Sequence, residues 1–109
     1  MKRWQLIFYL RVFDRETERQ LGHIVDITTE GMMLISDQPI PLNTDFKLWI
    51  DVPQDDDQRE RIYLDAHSLW SSKDVNPDFY DTGFRLQRLT PDRLEDIQIL
   101  IGEFGINAR

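Results

Sequence analysis

The chain contains no cysteine, which excludes disulfides, a thiolate nucleophile and cysteine metal sites, and leaves the redox compartment unmarked. No apolar run approaches the ~20 residues of a membrane-spanning helix. The basic start Met1-Lys2-Arg3-Trp4 leads into Leu6-Ile7-Phe8-Tyr9-Leu10, but Arg11 and Asp14 interrupt it and no small-residue cleavage site follows. Neither membrane insertion nor a signal peptide is therefore expected, and cytoplasm is the default location. Positive charge is also scarce, with 13 Lys and Arg against 20 Asp and Glu for a net charge of -7. That balance repels duplex DNA and other long polyanions, so no DNA partner is expected. A local basic cluster could still hold a small anion, because distant charge fades beyond a Debye length of ~8 Å in physiological salt. The 109 residues, 40% hydrophobic and 30% charged, suit one globular domain over 1–109 with its own core.

Alternation of apolar and polar residues predicts six strands in succession. Gln5 to Phe13 is the first, with Leu6, Phe8, Leu10 and Val12 on one face. A polar hairpin loop, Asp14 to Gln20, returns the chain as Leu21 to Ile27, where Gly22 suits a bend or bulge. Met32 to Ser36 is the third strand. The connection Asp37 to Asn43 carries Pro39 and Pro41, which cannot donate to a ladder. Phe46 to Val52 follows, with Phe46, Leu48, Ile50 and Val52 on one face and Lys47, Trp49 and Asp51 on the other. The fifth strand is Arg59 to Trp70, with Ile62, Leu64, Ala66 and Trp70 in register, and the sixth is Tyr80 to Leu86. Six consecutive strands with short connections predict a mainly β fold, a closed antiparallel barrel at about 5–88.

One helix, at about 91–104, ends the pattern. Thr90 is placed as N-cap, Pro91 at the first helical position, Asp92 in the first turn and Gly105 at the C-terminal cap. Leu94, Ile97, Ile101 and Phe104, widened by Leu100, form its apolar stripe. This stripe is expected to close the barrel end.

Catalytic and metal chemistries find no support. His23 and His67 occur singly on strands, away from any nucleophile motif or second ligand at metal spacing, and are read as solvated or hydrogen-bonded imidazoles. The acidic tip Gln54-Asp55-Asp56-Asp57-Gln58 lacks the alternating oxygen donors, mid-loop glycine and terminal Glu of a calcium loop, and is read as a solvated turn. No phosphate-cradling glycine loop is present. With no catalytic residue and no metal or cofactor site assigned, the chain reads as a binding module and not an enzyme.

The most informative stretch is Asp26-Ile27-Thr28-Thr29-Glu30-Gly31, between strands two and three. On an extended backbone Asp26 and Thr28 share a direction, while Val25 and Ile27 point to the core. Gly31 allows the turn into the next strand.

The order of these elements resembles the bacterial PilZ domain: six strands, Asp26-Ile27-Thr28-Thr29-Glu30-Gly31 between the second and third, Leu69-Trp70 ending the fifth, Thr82-Gly83-Phe84-Arg85-Leu86 in the sixth, and a terminal amphipathic helix. The resemblance covers nearly the whole chain. It implies a six-stranded barrel and, as ligand, the second messenger cyclic di-GMP, passed on as a signal to a protein partner. The family's site combines R-x-x-x-R before the first strand with [D/N]-x-S-x-x-G on the barrel. The second part maps onto Asp26, Thr28 and Gly31, with threonine for serine. Of the first part, only Lys2 and Arg3 precede the predicted strand, so Arg3 stands for the second arginine and the first is missing. Arg11-x-x-x-Arg15 and Arg15-x-x-x-Arg19 match the spacing inside the strand and its loop, and read as coincidences. One lost bidentate phosphate contact costs about 1.5–3 kcal/mol, roughly ten- to hundred-fold in affinity.

Three functions follow. The chain is a cyclic di-GMP receptor of weakened affinity acting through protein contact, or a degenerate adaptor that no longer binds the dinucleotide. A third reading, single-strand RNA binding on Trp4, Tyr9, Trp49 and Trp70 as stacking platforms, is opposed by the acidic balance. The sequence leaves homodimerisation, the downstream partner and the regulated process open.

Overall fold

A computed structural model describes residues 3–54 and 57–108. Its strands are β1 (Arg3–Asp14), β2 (Gln20–Ile27), β3 (Gly31–Ser36), β4 (Asp45–Pro53), β5 (Arg59–Lys73) and β6 (Tyr80–Gln87), followed by helix α1 (Pro91–Phe104) and a short β7 (Gly105–Ala108). All pairings are antiparallel. The ladder runs β2-β3-β6-β5-β4-β1 and closes through β1–β2, with β7 added along the start of β1. This is the expected six-stranded closed barrel with one C-terminal helix. Closure leaves no six-strand edge exposed, which is how the fold avoids open pairing sites.

The predicted inward rows fill the barrel from Leu10 onward, the side chains of Leu6 and Phe8 lying outside the described residues. Val12, Ile24, Ile27, Leu34, Leu48, Ile50 and Leu64 are fully buried, and Ile97 and Leu100 of α1 join the same core. Ile40, between the two prolines, is also buried. Ser68 continues the inward row of β5, where its hydroxyl donates to Pro41 O at 2.7 Å and ties down that connection. At the head of the helix the Thr90 hydroxyl accepts from Arg93 N at 3.2 Å, as the capping pattern requires. Gly105 closes the other end in an extended conformation, its N–H bonded to Ile101 O, and carries the chain into β7.

Four expectations are corrected. Two concern bulges, where one extra residue shifts the inward–outward alternation. The β2–β3 register breaks between Ile24 and Asp26, so Val25, though buried, leaves the barrel-core cluster and lines the same cavity as Asp26. The β5–β6 register breaks between Ser68 and Trp70, and Trp70 emerges 46% exposed instead of following Ala66 inward. Third, β1 begins at Arg3, which pairs with Ala108, so Arg3 does not precede the strand. Fourth, β7 has no counterpart in the alternation pattern.

Candidate functional site

The predicted motif sits where β2 turns into β3. Thr28 N donates to Gly31 O at 2.8 Å, while the Thr28 hydroxyl accepts from Glu30 N and Gly31 N, each at 3.0 Å. The hydroxyl is thus turned onto its own loop and does not share a direction with the Asp26 carboxylate. Gly31 is required by close approach: a Cβ there would lie 2.7 Å from Phe84 O on β6. Leu86 N donates to Glu30 O at 2.8 Å and fixes the turn to the same strand.

Asp26 is 7% exposed and lies in a cavity of about 200 Å³ with Tyr9, Val25, Met33, Ile35, Asp74 and Asp81. Tyr9, 59% exposed, forms one wall. The three carboxylates converge through different pairings, Asp26 from β2, Asp81 from β6 opposite Ile35, and Asp74 from just beyond β5. Burial, then a hydrogen bond and the negative charge of Asp74, then the charge of Asp26, push the Asp81 carboxyl up to about 6 from an ordinary 3.8. Periodicity gave no sign of Asp74 and Asp81, because only the pairing of β6 with β3 and β5 brings them in.

The basic half of the predicted site is divided. Gln5 pairs with Asp26 and Trp4 with Ile27, so the backbone of Arg3 lies one residue further, beside the Thr28 turn. Lys2 lies outside the described residues, as do Asp55 and Asp56 of the acidic loop. Arg11 and Arg15 are on the far half of β1 and beyond it, each held by a carboxylate. Arg11 and Arg59 both bind Asp51, Arg59 at 2.8 Å, and Arg15 binds Asp65 at 2.7 Å. Arg93 also binds Asp65, at 3.1 Å, and Arg88 stands 3.7 Å from it. The Arg59 hydrogen bond, opposed by burial and helped by Arg11, holds the Asp51 carboxyl below its usual range, and Asp51 raises Arg59 in return.

Both histidines, Trp49 and Trp70 have structural neighbours, while the side chain of Trp4 lies outside the described residues. His67 Nδ1 is 2.7 Å from Asp45 Oδ1, a bond that lowers the Asp45 pKa, and His23 Nε2 is 3.4 Å from Gln20 Nε2. Trp49 is buried between Phe13, stacked at 4.2 Å, and the Arg61 guanidinium at 3.9 Å, so neither ring face can receive a base. Trp70 lies across Gly83, where a Cβ would come within 2.2 Å of its Nε1. Among the described residues no group of three or more His, Asp or Glu could hold a metal ion, and no helix is long and apolar enough to cross a membrane.

A barrel closed through β1–β2, with this motif at the β2–β3 turn and a helix over one end, defines the class of small six-stranded β-barrel modules, and the comparisons name its family. The PilZ domain model matches residues 3–103, and the chain belongs to the PilZ domain family, whose known role is cyclic di-GMP binding and signalling. The solved structure of the Bacillus subtilis inhibitor of motility (MotI/DgrA) is similar, with a TM-score of 0.68 at 15% identity. That likeness covers 88% of this chain and 46% of the other, so this chain spans under half the length of that protein. No curated protein sequence matches.

Proposed function

We propose that this chain is a cytoplasmic signalling module that binds cyclic di-GMP weakly and relays its signal through protein contact. The β1–β2 register carries the reading. It runs the backbone of Arg3, whose side chain lies outside the described residues, beside Asp26 and the Thr28–Gly31 turn, where a carboxylate can accept from guanine N–H groups and a guanidinium can pair with phosphate. The same register accounts for the weakness. Arg11 and Arg15 are committed to Asp51 and Asp65, and Asp74 and Asp81 add negative charge around Asp26, opposing a ligand with two phosphates. Those carboxylates favour the second reading, an adaptor acting by protein contact alone. The structural likeness to a protein described as an inhibitor of motility fits either form of adaptor.

Calorimetry with cyclic di-GMP separates the two. Micromolar binding lost in Asp26→Ala and Arg3→Ala supports the weakened receptor, with Lys2 as the further cation to test. Heat equal to that of buffer at millimolar ligand removes the receptor reading and leaves the adaptor.

A further inference from the structure

The chain's few cations are not spread evenly. Seven of its 13 lysines and arginines gather over the outer face of β1, β4 and β5 and the side of it where Asp65 lies: Arg11, Arg15, Lys47, Arg59, Arg61 and the pair Arg88 and Arg93 that approach Asp65. On the outer rows of β4 and β5 the acids among the described residues are Asp45, Asp51 and Asp65, so cations outnumber acids across this face of a chain whose total is -7.

The arginines among them are held in place. Asp51 and Asp65, with side chains 8% and 10% exposed, each gather more than one guanidinium and hold it against the sheet. The Arg61 guanidinium stands over Trp49 at 3.9 Å, Trp49 stacks on Phe13, and Arg11 stands over Phe13 at 5.4 Å. A guanidinium stacked on a ring keeps its N–H edges outward and has already lost the side-chain freedom that binding would otherwise remove. Tyr63, 42% exposed with Arg15 over its ring, adds an apolar contact with a hydroxyl. The face is rich in donors even below its surface, where Arg15 Nε and Trp49 Nε1 are buried with no acceptor among the described residues.

We propose that this face docks an acidic segment of a protein partner. This deepens the reading of the chain as an adaptor and rests on it. Carboxylates match the forked donors of Arg61 and the ammonium of Lys47, which have no ion-pair partner among the described residues, with the paired Arg11, Arg15 and Arg59 adding field around them, and a segment of about six extended residues is ~20 Å long. A long nucleic acid or an anionic bilayer would extend past the patch onto the acidic remainder of the chain, and the one tryptophan here has both ring faces covered, so base stacking is not offered.

The test is an amide NMR titration of the labelled full chain with an oligoglutamate peptide of about ten residues. Shifts confined to 11–15, 47–51 and 59–65, weakened about ten-fold in Arg61→Glu and in Lys47→Glu and abolished at about 1 M salt, where the screening length is ~3 Å, are the expected result. Both substituted side chains are exposed, and an unchanged spectrum elsewhere shows that the variants fold. Absent or scattered shifts at millimolar peptide overturn the proposal. So does tighter binding of an oligothymidylate or of phosphatidylserine vesicles, which would assign the face to nucleic acid or membrane. A cyclic di-GMP titration read at Asp26, Thr28 and Gly31 runs beside it, so either site can fail alone.

Discussion

Asp81→Asn should stabilise this protein near neutral pH and do almost nothing in acid. Asp81 shares its cavity with Asp26 and Asp74, and burial together with those charges raises its carboxyl to about 6, against 3.8 for an unhindered aspartate. Between those two values the folded state holds a proton that the unfolded state has released. Stability therefore falls as pH rises through that window and stays at the lower level above it. Roughly two pKa units at 1.36 kcal/mol each set a ceiling of about 3 kcal/mol. Asp81 keeps some contact with water, and screening brings the expected effect down to about 1 kcal/mol. Asparagine removes the charge and retains a donor for the Asp74 carboxylate. Urea unfolding at about pH 7.5 should show the variant more stable by that amount, equivalent to a rise in Tm of about 4–8 °C, with the denaturant slope unchanged. At about pH 4 the two proteins should unfold together. A variant destabilised equally at both pH values would refute the electrostatic reasoning, leaving lost packing as the dominant effect.

Two substitutions test the local geometry. Thr28→Ala deprives Glu30 N and Gly31 N of their acceptor and should cost about 1 kcal/mol in urea unfolding, with Thr28→Ser restoring most of it. Gly83→Ala drives a methyl into the Trp70 indole, and because Trp70 is half-exposed it should swing outward, with red-shifted tryptophan fluorescence and a loss of about 1 kcal/mol.

The barrel was legible because its core rows obey a period of two: Leu48, Ile50 and Val52, or Ile62, Leu64 and Ala66, declare their face without any knowledge of their neighbours. The same rule failed at Val25 and Trp70, since a bulge adds one residue to one strand without any mark in composition. β7 escaped because Gly105-Ile106-Asn107-Ala108 is too short to show a period and its pairing with β1 is set by where the helix ends. At the candidate site the Thr28–Gly31 turn is local and could be placed from sequence, whereas the direction of Asp26 relative to Thr28 could not. Nor could their surroundings. Asp81 arrives through a partner strand, and the carboxylates that hold Arg11 and Arg15 lie 40 and 50 residues away along the chain.

Strand β1 shows why net charge is a poor guide to what such a protein binds. Leu10 and Val12 point into the core, so Tyr9, Arg11 and Phe13 share the outer face. Tyr9 borders the cavity of three carboxylates, and Arg11 and Phe13 belong to the basic stack. Successive residues on one face of a strand are ~7 Å apart, so the strand passes from acidic to basic surroundings over a distance comparable to the ~8 Å Debye length of physiological salt. Each surface is screened from the other at about the scale of a single side chain. An extended polyanion must meet both and feels the sum, which is repulsive, whereas a ligand of a few residues or a single dinucleotide feels only the patch that it covers. The charge of -7 therefore argues against long polyanions and leaves short anionic partners, which the local arginines decide.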